Sequence, residues 1–462
     1  MSIKTNRARL TRRGVLAAGA GAGAFAATAS EAAFLPAPET SERFDVVVVG
    51  AGMAGAAAAL AAAESGASVC VLEKAREARM GGNSALAGGA FAIPMDEGDA
   101  ARAAFLSDFR EKAKGRGNPE LFEIMADRSR EGVAWLAAHG VGFEPERRVE
   151  PYRVNWAVVS PGFYMGMPRM LSGLRARIEE NGGVYRFEVK ARELLPDTRG
   201  GVAGVRAVGP DGVQDFEAGA VILAGGGYAG NTPLLEAFSD PMAGAMMVRG
   251  VPWATGDALE MARAAGAGWG GMGGLMALHV AAVDPVETAA GNPFSILPYT
   301  LSINREGQRF IDETEGYVAH GKAVLGQPRQ TVSLVFDEAI AALPAAQATL
   351  GTFERLGIET VRAESLRELA AAIEVPADAL EATVAAYNAA VSANGATEGL
   401  DPPKSALAQR IEGPGFRAIH PLVPGVTLTF GGISIDGEAR VLEADGRVIP
   451  GLFPAGAGAG HA

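Results

Sequence analysis

Residues 44–73 read FDVVVVGAGMAGAAAALAAAESGASVCVLE. Phe44 to Val49 is an apolar, β-branched run, the composition of a parallel strand buried on both faces. It breaks into Gly50-Ala51-Gly52-Met53-Ala54-Gly55, a G-x-G-x-x-G spacing, and an alanine-rich helix follows to about Ser65. A second strand, Ser68 to Leu72, ends in Glu73 and Lys74. In a dinucleotide site Gly50 makes the tight turn, Gly52 lets backbone approach a pyrophosphate, and Gly55 lets helix pack on strand. The helix N-terminus offers N–H groups to the phosphates. Glu73, eighteen residues after Gly55, stands where a carboxylate accepts hydrogen bonds from a ribose. Glycines alone would also suit a turn that binds nothing. Strand, turn, helix, strand and acid in this order point to a bound dinucleotide.

The rest of the composition narrows the class. The chain has 462 residues, enough for two or three domains. Its 62 glycines are about 13% of the chain, against an average of about 7%, and they cluster in short turns rather than repeats. A net charge of −12 argues against nucleic acid or an anionic membrane surface as partner. Cys70 is the single cysteine, so an intrachain disulfide and a multi-cysteine metal site are both excluded. His139, His279, His320, His420 and His461 show no metal-ligand spacing.

Upstream of the first strand, Thr11-Arg12-Arg13-Gly14-Val15-Leu16 is a twin-arginine pattern followed by a weakly apolar Ala/Gly run. Ala27-Thr28-Ala29 supplies an A-x-A cleavage site. We read residues 1–29 as an export signal and 30–43 as a linker, with a periplasmic mature protein. The apolar run is too short and too weak to span a bilayer. A disordered basic tail is the alternative.

Downstream, Met80-Gly81-Gly82-Asn83-Ser84-Ala85-Leu86-Ala87-Gly88-Gly89 is a second glycine-rich loop, suited to pressing backbone N–H groups against a flat or phosphorylated ligand. Together with the first motif and Glu73, this loop resembles the flavoproteins of the fumarate reductase/succinate dehydrogenase family. The resemblance implies FAD, bound non-covalently, with Gly82, Asn83, Ser84, Gly88 and Gly89 as flavin contacts beside Gly50, Ala51, Gly52, Gly55, Glu73 and Lys74. It also implies Val189, Ala224 and Gly225 at the adenosine end, and Asp257, in Thr255-Gly256-Asp257, near the flavin. A plain helix N-cap is the other reading of Asp257.

The resemblance covers Phe44 to the last residue. Asn118-Pro119-Glu120 opens a helix that runs to His139 and stops at Gly140; His139 reads as a helix C-terminal residue, not a catalyst. Strands near Val184–Leu195, Val202–Val208 and Phe216–Ala224 suggest a β-meander. The fold class expected is α/β: a Rossmann-like FAD-binding domain (44–275 and 428–462) interrupted by an α+β capping domain (276–427). In the cap, Asn304-Arg305-Glu306-Gly307-Gln308-Arg309-Phe310-Ile311-Asp312-Glu313 looks like the family's N-x-x-G-x-R-F-x-x-E signature. Gly399–Ser405 and Val426–Gly432 most resemble FAD-dependent tricarballylate dehydrogenases.

Family chemistry exchanges a hydride between flavin and a carbon–carbon bond next to a carboxylate, while a protein group moves the proton. The sequence departs from the family in three places. Tyr317 stands four residues after Glu313, where fumarate reductases place a proton-donating Arg, and a loop carrying an Arg in the tricarballylate enzymes is shortened between them. Thr427-Leu428 replaces a His pair. The terminal Gly451–Ala462 stretch has Ala455-Gly456-Ala457 for Ala-Gly-Glu and lacks the loop and helix that follow in the family, which predicts a free Ala/Gly tail and an open flavin edge. Gly456 remains an expected cofactor contact.

The catalytic candidates are Tyr317, His279, Arg309 and Glu313, the last two also readable as a structural ion pair. Tyr164, Tyr299 and Trp253 are possible cavity walls. The expected partners are a small-molecule substrate and a separate electron acceptor or quinone-linked protein. No nucleic acid, metal or transmembrane segment is expected. A 3-ketosteroid dehydrogenase-like Δ1 oxidation and a truncated, non-catalytic flavin-binding protein are the alternatives.

Overall fold

The strand expected at Phe44 starts earlier, as β1 (Thr40–Val49), in a computed structural model of the chain. The structure describes residues 35–460 except 114, 116, 149–152, 163–164 and 282–290, and omits the side chains of 112 and 275–281. The expected export signal, 1–29, lies outside the described residues. Pro38–Ala462 forms one unit by its internal contacts.

Thr40 to Arg43, read as linker, belong to the sheet because they pair in parallel with Gln214 to Glu217. The first sheet contains β1, β2 (Val69–Glu73), β3 (Val184–Phe187), β4 (Lys190–Pro196), β5 (Val202–Gly209) and β6 (Gly212–Leu223), in the order β3-β2-β1-β6-β5-β4. β3, β2, β1 and β6 are parallel neighbours, while β6, β5 and β4 form the antiparallel meander. The predicted single strand near 184–195 is two strands. Glu188, at φ 58°, turns the chain between them, and its N–H and that of Val189 bond to Ala75 and Glu73 carbonyls. That turn carries Val189 and Lys190 to the end of β2.

Alternation along the buried strands explains their all-apolar sequence. Val47, Cys70 and Leu72 enter one core, while Val48, Val69 and Val71 enter the other. On the second face lie helix α1 (Met53–Glu64), with Ala56, Ala59 and Leu60 buried, and helix α2 (Gly166–Glu180), with Leu174 and Ile178 buried. Burial pushes the Cys70 thiol up to about 12, leaving it an inert core residue. As the sequence suggested, the helix over Pro119–Ala138 is capped by Asn118 and ends at His139; the His139 ring bonds Glu64 and the Trp135 carbonyl.

A second sheet is organised by β7 (Trp269–Ala281), β8 (Leu301–Asn304), β9 (Val332–Asp337) and β10 (Phe416–Ile433). β10 pairs antiparallel with both β7 and β9. Its Ala418, Ile419 and Leu422 belong to the cap core, and its Val426 and Ile433 to the nucleotide-domain core. The expected boundaries at 275/276 and 427/428 therefore fall inside continuous strands, not in linkers. The cap adds helix α3 (Tyr317–Leu325), among others. A final strand, β11 (Leu452–Pro454), returns to β6 in parallel. The segment after it is not a free tail through Gly460. Ala459 bridges Ile433, Gly460 N–H donates to the Ile433 carbonyl at 2.7 Å, and a Cβ on Gly432 would stand 2.0 Å from the Gly458 carbonyl oxygen. Among the described residues no helix is long and apolar enough to cross a membrane.

Candidate functional site

β1, β2, β6 and β11 all point their carboxyl ends at one cavity of about 360 Å³. This is where open α/β sheets bind ligands. Its wall is mostly backbone and small apolar groups, which follows from the glycines. A Cβ on Gly55 would stand 1.9 Å from the Gly50 carbonyl oxygen, and one on Gly50, at φ 108°, 2.6 Å from that of Ala224. Both glycines hold α1 against the strand ends. At Gly82 and Gly226, which line the cavity, a Cβ would meet nothing within 4 Å, so bare backbone faces the space.

α1 points its N-terminus at the cavity. Gly52, its N-cap, has no side chain to occupy the first-turn N–H groups, and Ser84 Oγ accepts from Met53 N–H at 3.0 Å. Glu73 is 6% exposed and lines the cavity. Its Oε2 accepts from Ala51 N–H at 2.9 Å and its Oε1 from Ala75 N–H at 2.8 Å. These bonds hold the carboxylate at the end of β2 while leaving lone pairs for a ribose. A dinucleotide fits these residues: phosphates at the α1 N-terminus, adenosine toward Glu73, the remainder toward Asn83, Leu428 and Thr429.

The structure brings Gly50, Gly52, Glu73, Lys74, Gly82, Asn83, Ser84, Val189, Ala224, Gly225, Asp257 and Gly456 into the lining, together with Trp253. Ala51 and Gly55 shape it from behind. Asn83 is a strut: its Nδ2 donates to the Thr427 carbonyl at 3.0 Å and its Oδ1 accepts from Val251 N–H at 2.7 Å. Gly88 and Gly89 are not in the lining. Gly89, at φ 76°, packs where a Cβ would stand 3.0 Å from Met167 Cγ, so this glycine serves the loop's turn.

Asp257 lines the cavity and is not the helix N-cap. Gly256, at φ 78°, is the N-cap and Asp257 is the first residue of a helix ending at Ala264. Its carboxylate meets Lys74 Nζ at 2.5 Å and Lys190 Nζ at 3.0 Å. Those lysines follow Glu73 and Val189 in the chain, so Asp257 stands at the Glu73 end of the cavity. Burial pushes its carboxyl up, but Lys74 and then Lys190 outweigh that and hold it below the usual carboxylate range. Sequence reading missed Lys190, whose partner is distant in the chain.

The catalytic candidates disperse. Glu313 is fully buried; its Oε2 meets Arg309 Nη2 at 2.8 Å and Lys404 Nζ at 3.1 Å, and its Oε1 accepts from Ser302 N–H at 2.8 Å. Burial opposes the charge of Glu313, yet Lys404 and Arg309 hold its carboxyl below the usual range. Arg309 also donates to the Pro402 and Pro403 carbonyls. The signature is thus a latch inside the cap, and neither Arg309 nor Glu313 lines the cavity. Tyr317, 36% exposed, opens α3 with its ring edge-on to Phe294 at 6.3 Å. Tyr299 packs against the cap core. The His279 side chain and Tyr164 lie outside the described residues. Among the described residues no cluster of His, Cys, Asp or Glu is arranged to hold a metal ion.

Comparison with known proteins agrees with this geometry. Residues 45–462 match the FAD binding domain family. The chain is 31% identical over 439 residues to a fumarate reductase (cytochrome) of Shewanella frigidimarina, covering 92% of this chain and 73% of that one. It is 30% identical over 444 residues to a urocanate reductase of Eggerthella lenta, covering 90% and 70%. The open conformation of a flavocytochrome c3 fumarate reductase superimposes with a TM-score of 0.75 at 27% identity, covering 92% of this chain and 74% of that one.

Proposed function

This chain belongs to the fumarate reductase/succinate dehydrogenase family of FAD-dependent flavoproteins, and on that premise we propose that it exchanges two hydrogens across a carbon–carbon bond next to a carboxylate in a small organic acid. It is an oxidoreductase with FAD as cofactor. The reading rests on one observation: fumarate and urocanate, named for two relatives, share a C=C bond conjugated to a carboxylate. The Gly399–Ser405 and Val426–Gly432 stretches support a tricarballylate-type acid within that class.

FAD supplies hydride chemistry when bound. The α1 N-terminus would receive the pyrophosphate and Glu73 the ribose, with Leu428 and Thr429 in the cavity wall. We assign proton transfer to Tyr317, which stands where the resemblance places a proton-donating Arg. The partner this reading calls for is a separate electron acceptor or a quinone-linked protein. Thr11–Leu16 supports export by the twin-arginine route to the periplasm, which fractionation of cells expressing the full chain would test.

Anaerobic mixing of photoreduced holoprotein with fumarate, urocanate and acrylate tests the substrate class. Reoxidation by at least one acid supports it; reoxidation by none, with bleaching of the oxidised flavin by a 3-ketosteroid instead, overturns it. Bleaching by tricarballylate would fix the direction. Tyr317→Phe should lower turnover roughly 100-fold with flavin content unchanged; an unaltered rate removes Tyr317 from the chemistry.

A further inference from the structure

The adenosine end of the cavity holds two carboxylates, Glu73 and Asp257, at a place that must receive a cofactor with an anionic pyrophosphate. Left uncompensated, they would repel it. Lys74 and Lys190 both line the cavity and both meet Asp257, Lys74 at 2.5 Å on Oδ2 and Lys190 at 3.0 Å on Oδ1. Lys74 also donates to Thr255 Oγ1 at 3.0 Å. The three charged groups come from different places: the end of β2, the start of β4 and the first turn of the Asp257–Ala264 helix. The turn at Glu188 is what delivers Lys190 there.

We propose that Lys190 is a cofactor-positioning residue: its bridge to Asp257 closes the adenosine end of the FAD cavity and brings that end to charge balance, so that it accepts the ADP half of the cofactor. Lys74 alone would leave two carboxylates against one ammonium. Lys190 is the second cation, and with a side chain 36% exposed it remains within reach of solvent ions. The inference rests on the FAD site and is independent of the substrate.

The test uses the full-chain holoprotein. FAD release on serial dilution is followed by flavin fluorescence, with and without ADP as competitor, over a range of salt concentrations. Lys190→Gln should raise the FAD dissociation constant about tenfold (roughly 1.4 kcal/mol) and the ADP competition constant by the same factor. It should also flatten the salt dependence of FAD affinity, a readout that a packing role would not move. Lys190→Arg should stay within about twofold of the parent, because it keeps the charge. An unchanged FAD constant in Lys190→Gln overturns the proposal. So does weaker FAD binding with ADP competition unaltered, or with an equal loss in Lys190→Arg.

Discussion

Two clusters in this molecule have the same formal composition, one carboxylate between two cations. Lys74–Asp257–Lys190 sits at the Glu73 end of the cofactor cavity, with side chains 23%, 26% and 36% exposed. Arg309–Glu313–Lys404 lies inside the cap, at 4%, 0% and 0%. Water makes the difference. In the cap each charge has lost its solvent and is held by its partners and by backbone groups, so the cluster constrains the fold. At the cavity the charges are still partly solvated and can be readdressed by a ligand. A conserved-looking spacing of charged residues does not tell the two apart; burial does.

The largest effect expected from this contrast is in the cap. Glu313→Gln leaves Lys404 and Arg309 without their counter-charge and should cost about 3–5 kcal/mol in urea unfolding, with the FAD constant of the folded fraction unaltered. A loss under 1 kcal/mol would make the cap cluster no different from a surface pair.

The next effect is pH-dependent. His320, on α3, is fully buried with its Nε2 2.8 Å from Ser302 Oγ, and burial lowers it to about 4 against an ordinary 6.5. The unfolded chain then binds the proton that the folded chain refuses. Stability is complete above about pH 6.5 and falls by roughly 1.4 kcal/mol per pH unit as pH drops toward 4. Glu313, held below its usual range, adds its own loss only in more acid solution. Urea titrations of the parent and His320→Asn between pH 6.5 and 5 should differ by that slope; parallel curves would place the proton elsewhere.

The smallest effect is at the cavity. Asp257→Asn should change unfolding free energy by less than about 1 kcal/mol, because the bridge is partly solvated and screened. A loss as large as that in Glu313→Gln would erase the contrast.

The β1–α1–β2 unit was legible because its signals are local: an apolar run, three glycines and an acid at fixed spacing. Most of the remaining lining, down to Gly456, was implied by the family resemblance rather than by these signals. What the sequence concealed depends on distant pairing. Thr40–Arg43 look like linker until Gln214–Glu217 lie beside them, and Lys190 looks like an ordinary strand residue until Asp257 arrives. Lys404 carries no signal of its own within Gly399–Ser405, yet it is fully buried on Glu313 and the Thr300 carbonyl. Its burial is what turns Arg309 and Glu313 from catalytic candidates into a latch.

The most direct measurement is the visible absorption spectrum of the purified chain ending at Ala462, before and after addition of excess ADP. One flavin per chain, displaced by ADP, is the predicted result. A colourless chain that takes up no FAD, or a flavin that ADP does not displace, would contradict a cofactor seated between Glu73 and Thr429.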